Sequence, residues 1–248
     1  MRNAIILMLL GSLSFLVAAC ADSPTSASGG GTMRLSLKAI STPPAAAASR
    51  SLVPSAASAV DSVTLTRARL VLRDIRFHTS EDSLDYRTAP LVLTVQPGSP
   101  LQEVSVRSVP PGTYREIEFE VHRIESTDVA SLLPVQRAPF ADFLAGERYS
   151  IILEGTVYPA GDGSGVPFTF RSRINERQEF SFDPGLSVSE TQDAVNVTML
   201  VDAGSWFRSA DGLSIVDPRD PSETDQIENN LKSSIRVFED NDRNGEDD

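Results

Sequence analysis

The chain holds one cysteine in 248 residues, Cys20. A single thiol closes no intramolecular disulfide and builds no thiolate metal cage, so the folded part depends on core burial alone. Histidine is almost as scarce: His78 and His122 are the only two. Copper and zinc centres draw on several imidazoles or thiolates, so these two form a candidate copper pair only if a sheet makes them neighbours. There is no Gly-x-Ser-x-Gly elbow, no P-loop and no glycine fingerprint between a strand and a helix. Those absences remove the usual hydrolase, nucleotidase and dinucleotide readings. Basic residues number 22 against 34 acidic ones, a net charge of −12. Phosphate binding relies on clustered lysine and arginine, so the balance argues against nucleic acid as a partner.

What the chain does have begins at its start. Arg2 precedes an apolar stretch from Ala4 to Ala19 with no acidic side chain. The stretch is shorter than the roughly 20 residues a membrane-crossing helix needs, and Gly11, Ser12 and Ser14 dilute it. Charged start, short apolar middle and small residues before a cut describe an export signal over residues 1–19. The run Leu16-Val17-Ala18-Ala19-Cys20 resembles the lipobox of bacterial lipoproteins. That resemblance implies that Cys20 takes lipid on its sulfur and amine, becomes the new N-terminus and anchors the protein to a membrane. In that family an aspartate directly after the cysteine retains the protein at the inner membrane. Here Ala21 occupies that place and Asp22 follows one later, which implies the outer membrane of the cell envelope. Residues 20–32 then form the lipidated cysteine and a glycine-rich tether that wanders roughly 20 Å as a random coil.

The folded domain is expected over 33–238. Met33, Leu35 and Leu37 alternate with Arg34, Ser36 and Lys38, as in a half-buried strand. Residues 42–59, rich in alanine, proline and serine without an apolar face, read as a mobile loop. From Val63 to Phe77 the apolar phase slips twice, after Leu65 and after Leu72, which predicts bulges or a strand bending between sheets. Short strands follow at Leu91–Val95 and Val104–Val106, then a cleanly alternating one from Arg115 to Glu125. A hairpin is expected around 159–165, and further strands at Glu179–Phe182 and Val195–Val201. Pro110-Pro111-Gly112-Thr113 suits a type II turn. Asp220-Pro221-Ser222-Glu223 carries helix-start chemistry, and Ile227, Leu231, Ile235 and Phe238 recur at helical spacing, predicting about four turns. About nine strands and one C-terminal α-helix make an all-β fold, an antiparallel β-sandwich.

Few constellations carry chemistry. Glu116, Glu118 and Glu120 line one face of a strand at spacings open to glycosidase-like pairs. The plainer reading is a solvated face paired with arginines of a neighbouring strand, such as Arg73. Trp206, the only tryptophan, is expected to cover the core, with sugar stacking as the alternative. Asn196-Val197-Thr198 reads as an incidental strand tripeptide. Residues 239–248 form an acidic tail. Within it Asp240, Asp242, Asn244 and Glu246 recur at alternate positions, with Gly245 at the sixth. That is the opening of an EF-hand calcium loop, D-x-[DN]-x-[DN]-G, following a predicted helix but without the glutamate at position 12. These four are the candidate metal ligands, with weak Ca²⁺ binding as their chemistry.

The strands from Met33 to Val201 resemble an uncharacterised family of bacterial lipoprotein domains. The resemblance rests on the strand around Val63-Thr64-Leu65-Thr66 and Val71-Leu72-Arg73-Asp74-Ile75, and on Val109-Pro110-Pro111-Gly112-Thr113-Tyr114-Arg115. It implies a sandwich related to transthyretin or immunoglobulin domains, and it transfers no functional residue. The expected function is therefore a non-enzymatic, membrane-anchored binding or structural module with an envelope protein or glycan as partner. The alternative is a metal-binding envelope protein, calcium through the tail or copper through the histidines.

Overall fold

The computed structural model describes residues 30–41, 59–79, 85–191 and 194–248. The expected signal peptide, most of the tether and almost all of the loop at 42–59 lie outside them. Among the described residues there are eleven strands: β1 Gly31–Ile40, β2 Val60–Thr79, β3 Tyr86–Arg87, β4 Leu91–Val95, β5 Gln102–Val109, β6 Gly112–Val121, β7 Ile151–Pro159, β8 Val166–Ser172, β9 Glu176–Val188, β10 Val195–Asp202 and β11 Ile235–Glu239. Short helices α1 (Pro134–Arg137) and α2 (Ala141–Leu144) sit between β6 and β7, and α3 (Thr224–Ser233) precedes β11. The all-β sandwich with a C-terminal helix is what the chain forms. β3 and β11 are the additions to the strands expected, and one neighbouring pair, β1 with β10, runs parallel.

One sheet has the order β11-β10-β1-β5; the other is built around β2. Their inner faces share a single core. Met33, Leu35 and Leu37 of β1 and Val197, Met199 and Val201 of β10 pack with Leu70, Leu72, Ile75 and Phe77 of β2 and with Ile117, Phe119 and Val121 of β6. At about 25 cal/mol per Å² of apolar surface removed from water, such an uninterrupted interior replaces the disulfides the chain lacks.

Strand β2 explains the two slips in apolar phase. Its pairing with β7 shifts between Leu65 and Arg67, and its pairing with β6 shifts between Arg73 and Arg76. At the second bulge Asp74 takes a left-handed φ of 53°, a conformation aspartate tolerates better than most residues. Ala68 faces Leu153 of β7 on one side and Val95 of β4 on the other, while Leu72 faces Leu91 of β4 and Val121 of β6. β7 and β6 therefore lie end to end along the same edge of β2. The backbone agrees, because Val71 N–H donates to Ser150 and Val71 C=O accepts from His122.

At that junction Leu70, Val71 and Leu72 are all buried. Val71 points away from the main core into a second cluster with Ile152, Ile124, Val129, Phe140 and Phe143. The helical excursion of α1 and α2 thus caps the outer face of the sheet, and it breaks the strand periodicity for that reason.

Tyr114, fully buried, donates its hydroxyl to Pro110 C=O at 2.8 Å. This is the corner geometry by which sandwich domains tie a strand start to the preceding turn. Burial pushes the phenol up to about 12, so the hydroxyl remains a donor at physiological pH. Gly112 is not among the left-handed glycines and opens β6 as an extended residue, so the expected type II turn does not form.

The C-terminal helix is shorter than its spacing suggests. Asp220 caps the preceding turn by accepting from Ser222 N–H, and α3 buries Ile227 and Leu231. It stops at Ser233, and Ile235 to Phe238 belong to β11 instead. Ile235, Val237 and Phe238 are β-branched or aromatic, and pairing with β10 gives this run a ladder that a further helical turn would forgo.

Candidate metal centre

All of β10 from Val195 to Val201 is buried, including Asn196 and Thr198 on the face away from the core. Buried polar side chains in a strand need partners, and the chain after β11 supplies them. Asp240 N–H donates to Asn196 C=O at 3.0 Å, and the Thr198 hydroxyl donates to Asp240 Oδ2 at 2.5 Å. Asn196 also donates from Nδ2 to Asn241 C=O at 3.4 Å. The acidic tail is thus a folded loop lying against the four-stranded sheet.

The loop is tied internally as well. Gly245 N–H donates to Asp240 Oδ2, and Asn244 N–H to Asp242 Oδ1. Asn241 N–H donates to Asp248 Oδ2 at 2.6 Å. From β1, Lys38 Nζ donates to the carbonyls of Asn244 and Gly245 at 3.0 and 3.2 Å. Gly245 needs to be glycine: its φ is 78°, and a Cβ there would meet Lys38 Cδ at 2.2 Å.

Of the four ligands expected from the sequence, the structure brings Asp240 and Asp242 together and adds Asp248. Oxygens of these three carboxylates lie within 4.8 Å of one another. The side chain of Glu246 is not in that group, and Asn244 Oδ1 is taken by the Glu246 N–H at 2.6 Å. Position 7 of a calcium loop contributes its backbone carbonyl rather than its side chain, which fits the place of Glu246; Asp248 falls at position 9. The loop follows the strand β11, not the helix expected before it. Asp240 is 0% exposed, and among the described residues its Oδ1 has no hydrogen-bond donor. The sequence pattern pointed to the loop. It did not reveal Thr198, Asn196 or Lys38, whose only signal was polar residues on the outward phase of otherwise apolar strands.

The other candidates resolve differently. His78 pairs in register with Glu116, and His122 lies six residues further along the same strand direction, about 20 Å away. Two imidazoles so far apart share no ion, and the copper reading falls. His78 Nδ1 lies 2.7 Å from Asp85, and His122 Nδ1 2.6 Å from Arg123 C=O. Two of the glutamate row, Glu118 and Glu120, are paired with arginines while Glu116 faces His78 in register, and the centre of the row is not solvated. Glu118 is 5% exposed, with Arg177 Nε at 3.4 Å, Arg76 Nη1 at 3.5 Å and His78 Nε2 at 3.7 Å. Glu120 sits 2.8 Å from Arg73. Burial pushes Glu120 up, yet the hydrogen bond and charge of Arg73, helped by His122 and Arg177, more than offset this and hold it below its ordinary range. Trp206 is fully buried, donating Nε1–H to Ser234 Oγ at 2.8 Å, so it packs under α3 and offers no stacking face.

No protein-family model, no curated protein and no solved structure matches the chain. The geometry therefore stands by itself: a β-sandwich carrying one structured acidic loop on the outer face of its smaller sheet.

Proposed function

We propose that this protein is a lipid-anchored β-sandwich of the bacterial cell envelope that acts without catalysis, as a binding or structural module. The run Leu16-Val17-Ala18-Ala19-Cys20 carries this reading. It favours a covalent lipid on Cys20, and several acyl chains of about 0.8 kcal/mol per buried methylene hold a protein at a membrane almost permanently. The fold is compatible with such a leash, since β1 starts at Gly31, a short tether beyond Cys20. The carboxylates with the best claim to acid–base work, Glu118 and Glu120, face arginines across the strands, and such pairing suits a structural face. Sandwich domains present loops from a rigid support, here toward an envelope protein or glycan.

Mass spectrometry of the protein recovered from bacterial membranes tests the reading. The expected product begins at residue 20 and carries acyl chains, and Cys20→Ser abolishes cleavage and acylation together. An unmodified residue 20, or residues 1–19 still present in the wild type, overturns it.

A further inference from the structure

We propose that Asp240, Asp242 and Asp248 bind a calcium ion, and that the ion fastens the 240–248 loop onto β10. The first observation is the convergence of three carboxylates separated along the chain, with oxygens within 4.8 Å of one another. Oxygens around one calcium ion at 2.3–2.6 Å lie up to about 5 Å apart, so the group fits a single coordination shell. The second observation is independent of the acidic character of the loop. Asp240 is fully buried, its Oδ2 is engaged by Thr198 and Gly245, and its Oδ1 has no donor among the described residues. A buried carboxylate oxygen left unpaired is costly. The other two carboxylates of the group, Asp242 and Asp248, add further acceptors beside it. A bound cation satisfies all three at once.

The donor set identifies the ion. Oxygen ligands without imidazole or thiolate select a hard cation over copper or zinc. Calcium accepts a flexible shell built from several protein carboxylates, whereas magnesium demands a tight octahedron and keeps most of its water. Positions 1, 3 and 9 of the loop are Asp240, Asp242 and Asp248, and the sixth is the left-handed Gly245, φ 78°. Lys38 holds two loop carbonyls from outside and so shapes the turn without occupying the carboxylate oxygens. Because Asp240 is bonded to β10 through Thr198 and Asn196, an ion shared with Asp248 links the last residues of the loop directly to the sheet. This inference holds whether or not Cys20 carries lipid.

The test is isothermal titration and thermal unfolding of the mature protein with CaCl₂, with MgCl₂ run in parallel. Saturable calcium binding is expected at a dissociation constant of about 10⁻⁴–10⁻³ M, the range of extracellular modules. The melting temperature should rise by about 3–6 °C in about 10 mM calcium. Asp242 and Asp248 are exposed, so the double variant Asp242→Asn/Asp248→Asn should melt like the wild type in chelator and lose the calcium shift. Hydrogen exchange at Asn241 and Gly245, whose N–H groups end on Asp248 and Asp240, should slow with calcium in the wild type alone. No saturable calcium binding below about 10 mM, equal affinity for magnesium, or undiminished binding in the double variant overturns the site. Saturable binding with unchanged exchange at both amides overturns the fastening.

Discussion

Two buried carboxylates, Glu118 and Asp240, stand on opposite sheets of the sandwich and meet opposite surroundings. Glu118 on β6 is ringed by Arg76, Arg177 and His78, all from neighbouring strands of its own sheet. Asp240, just past β11, has a hydroxyl and a backbone N–H on one oxygen and, among the described residues, no donor on the other, with the acids Asp242 and Asp248 close by. Both sit where water is excluded, so each charge must be matched. In the first case the protein carries its own counter-charge on adjacent strands, and the pairing is permanent. In the second, the calcium ion proposed above would bring the counter-charge from solution and make the stability of the loop respond to ion concentration.

The comparison breaks most visibly at Glu118. Glu118→Ala leaves the Arg76 and Arg177 guanidinium groups without their shared carboxylate, and the loss should be about 3 kcal/mol, at the low end for a broken buried pair because the arginines are partly exposed. The midpoint of urea unfolding reads it. Asp240→Asn should behave oppositely in chelator: its oxygen keeps the Thr198 and Gly245 bonds, and its new N–H₂ can donate to the neighbouring carboxylates. The expected change is neutral to about 1 kcal/mol stabilising, with the calcium response gone. A loss comparable to that of Glu118→Ala would erase the contrast between the two sites.

An exposed pair marks the lower end of the scale. Glu154→Gln removes the partner of Arg67, at 2.5 Å on the surface, and should cost no more than about 0.5 kcal/mol in the same unfolding experiment. The finest effect is confined to acid. Glu120 is held below its ordinary range by Arg73, so its contribution to stability is complete above the unfolded pKa near 4.5. That contribution is lost as the pH falls through the lower folded value. The melting temperature of the wild type should therefore drop more steeply below about pH 4.5 than that of Glu120→Gln. Parallel acid limbs for the two proteins would mean that Arg73 does not favour the charged form.

Much of the sandwich was legible because period-two alternation reports directly on a half-buried strand. The slips after Leu65 and Leu72 marked two of the four register shifts along β2, because each inserted residue flips every following side chain to the other face. The run from Ile235 to Phe238 misled, since apolar residues spaced by four and three fit a helix as well as a short strand. Pairing with β10, a long-range event, decided between them. Asp240 and Asp242 were legible as members of a spaced acidic loop. Asp248 was not, because its place follows from a turn that Gly245 and Lys38 shape across 207 residues of sequence.

The order of residues alone determined most of the segments that become strands, two places where β2 must bulge, the excess of acid over base and the lone thiol at residue 20. These follow from local periodicity and composition, which need no knowledge of neighbours. Only the tertiary structure decided that β7 and β6 share one edge of β2, that Glu118 is surrounded by cations and that Asp240 is not. Burial and charge pairing depend on which strands meet, and that is a property of the folded whole.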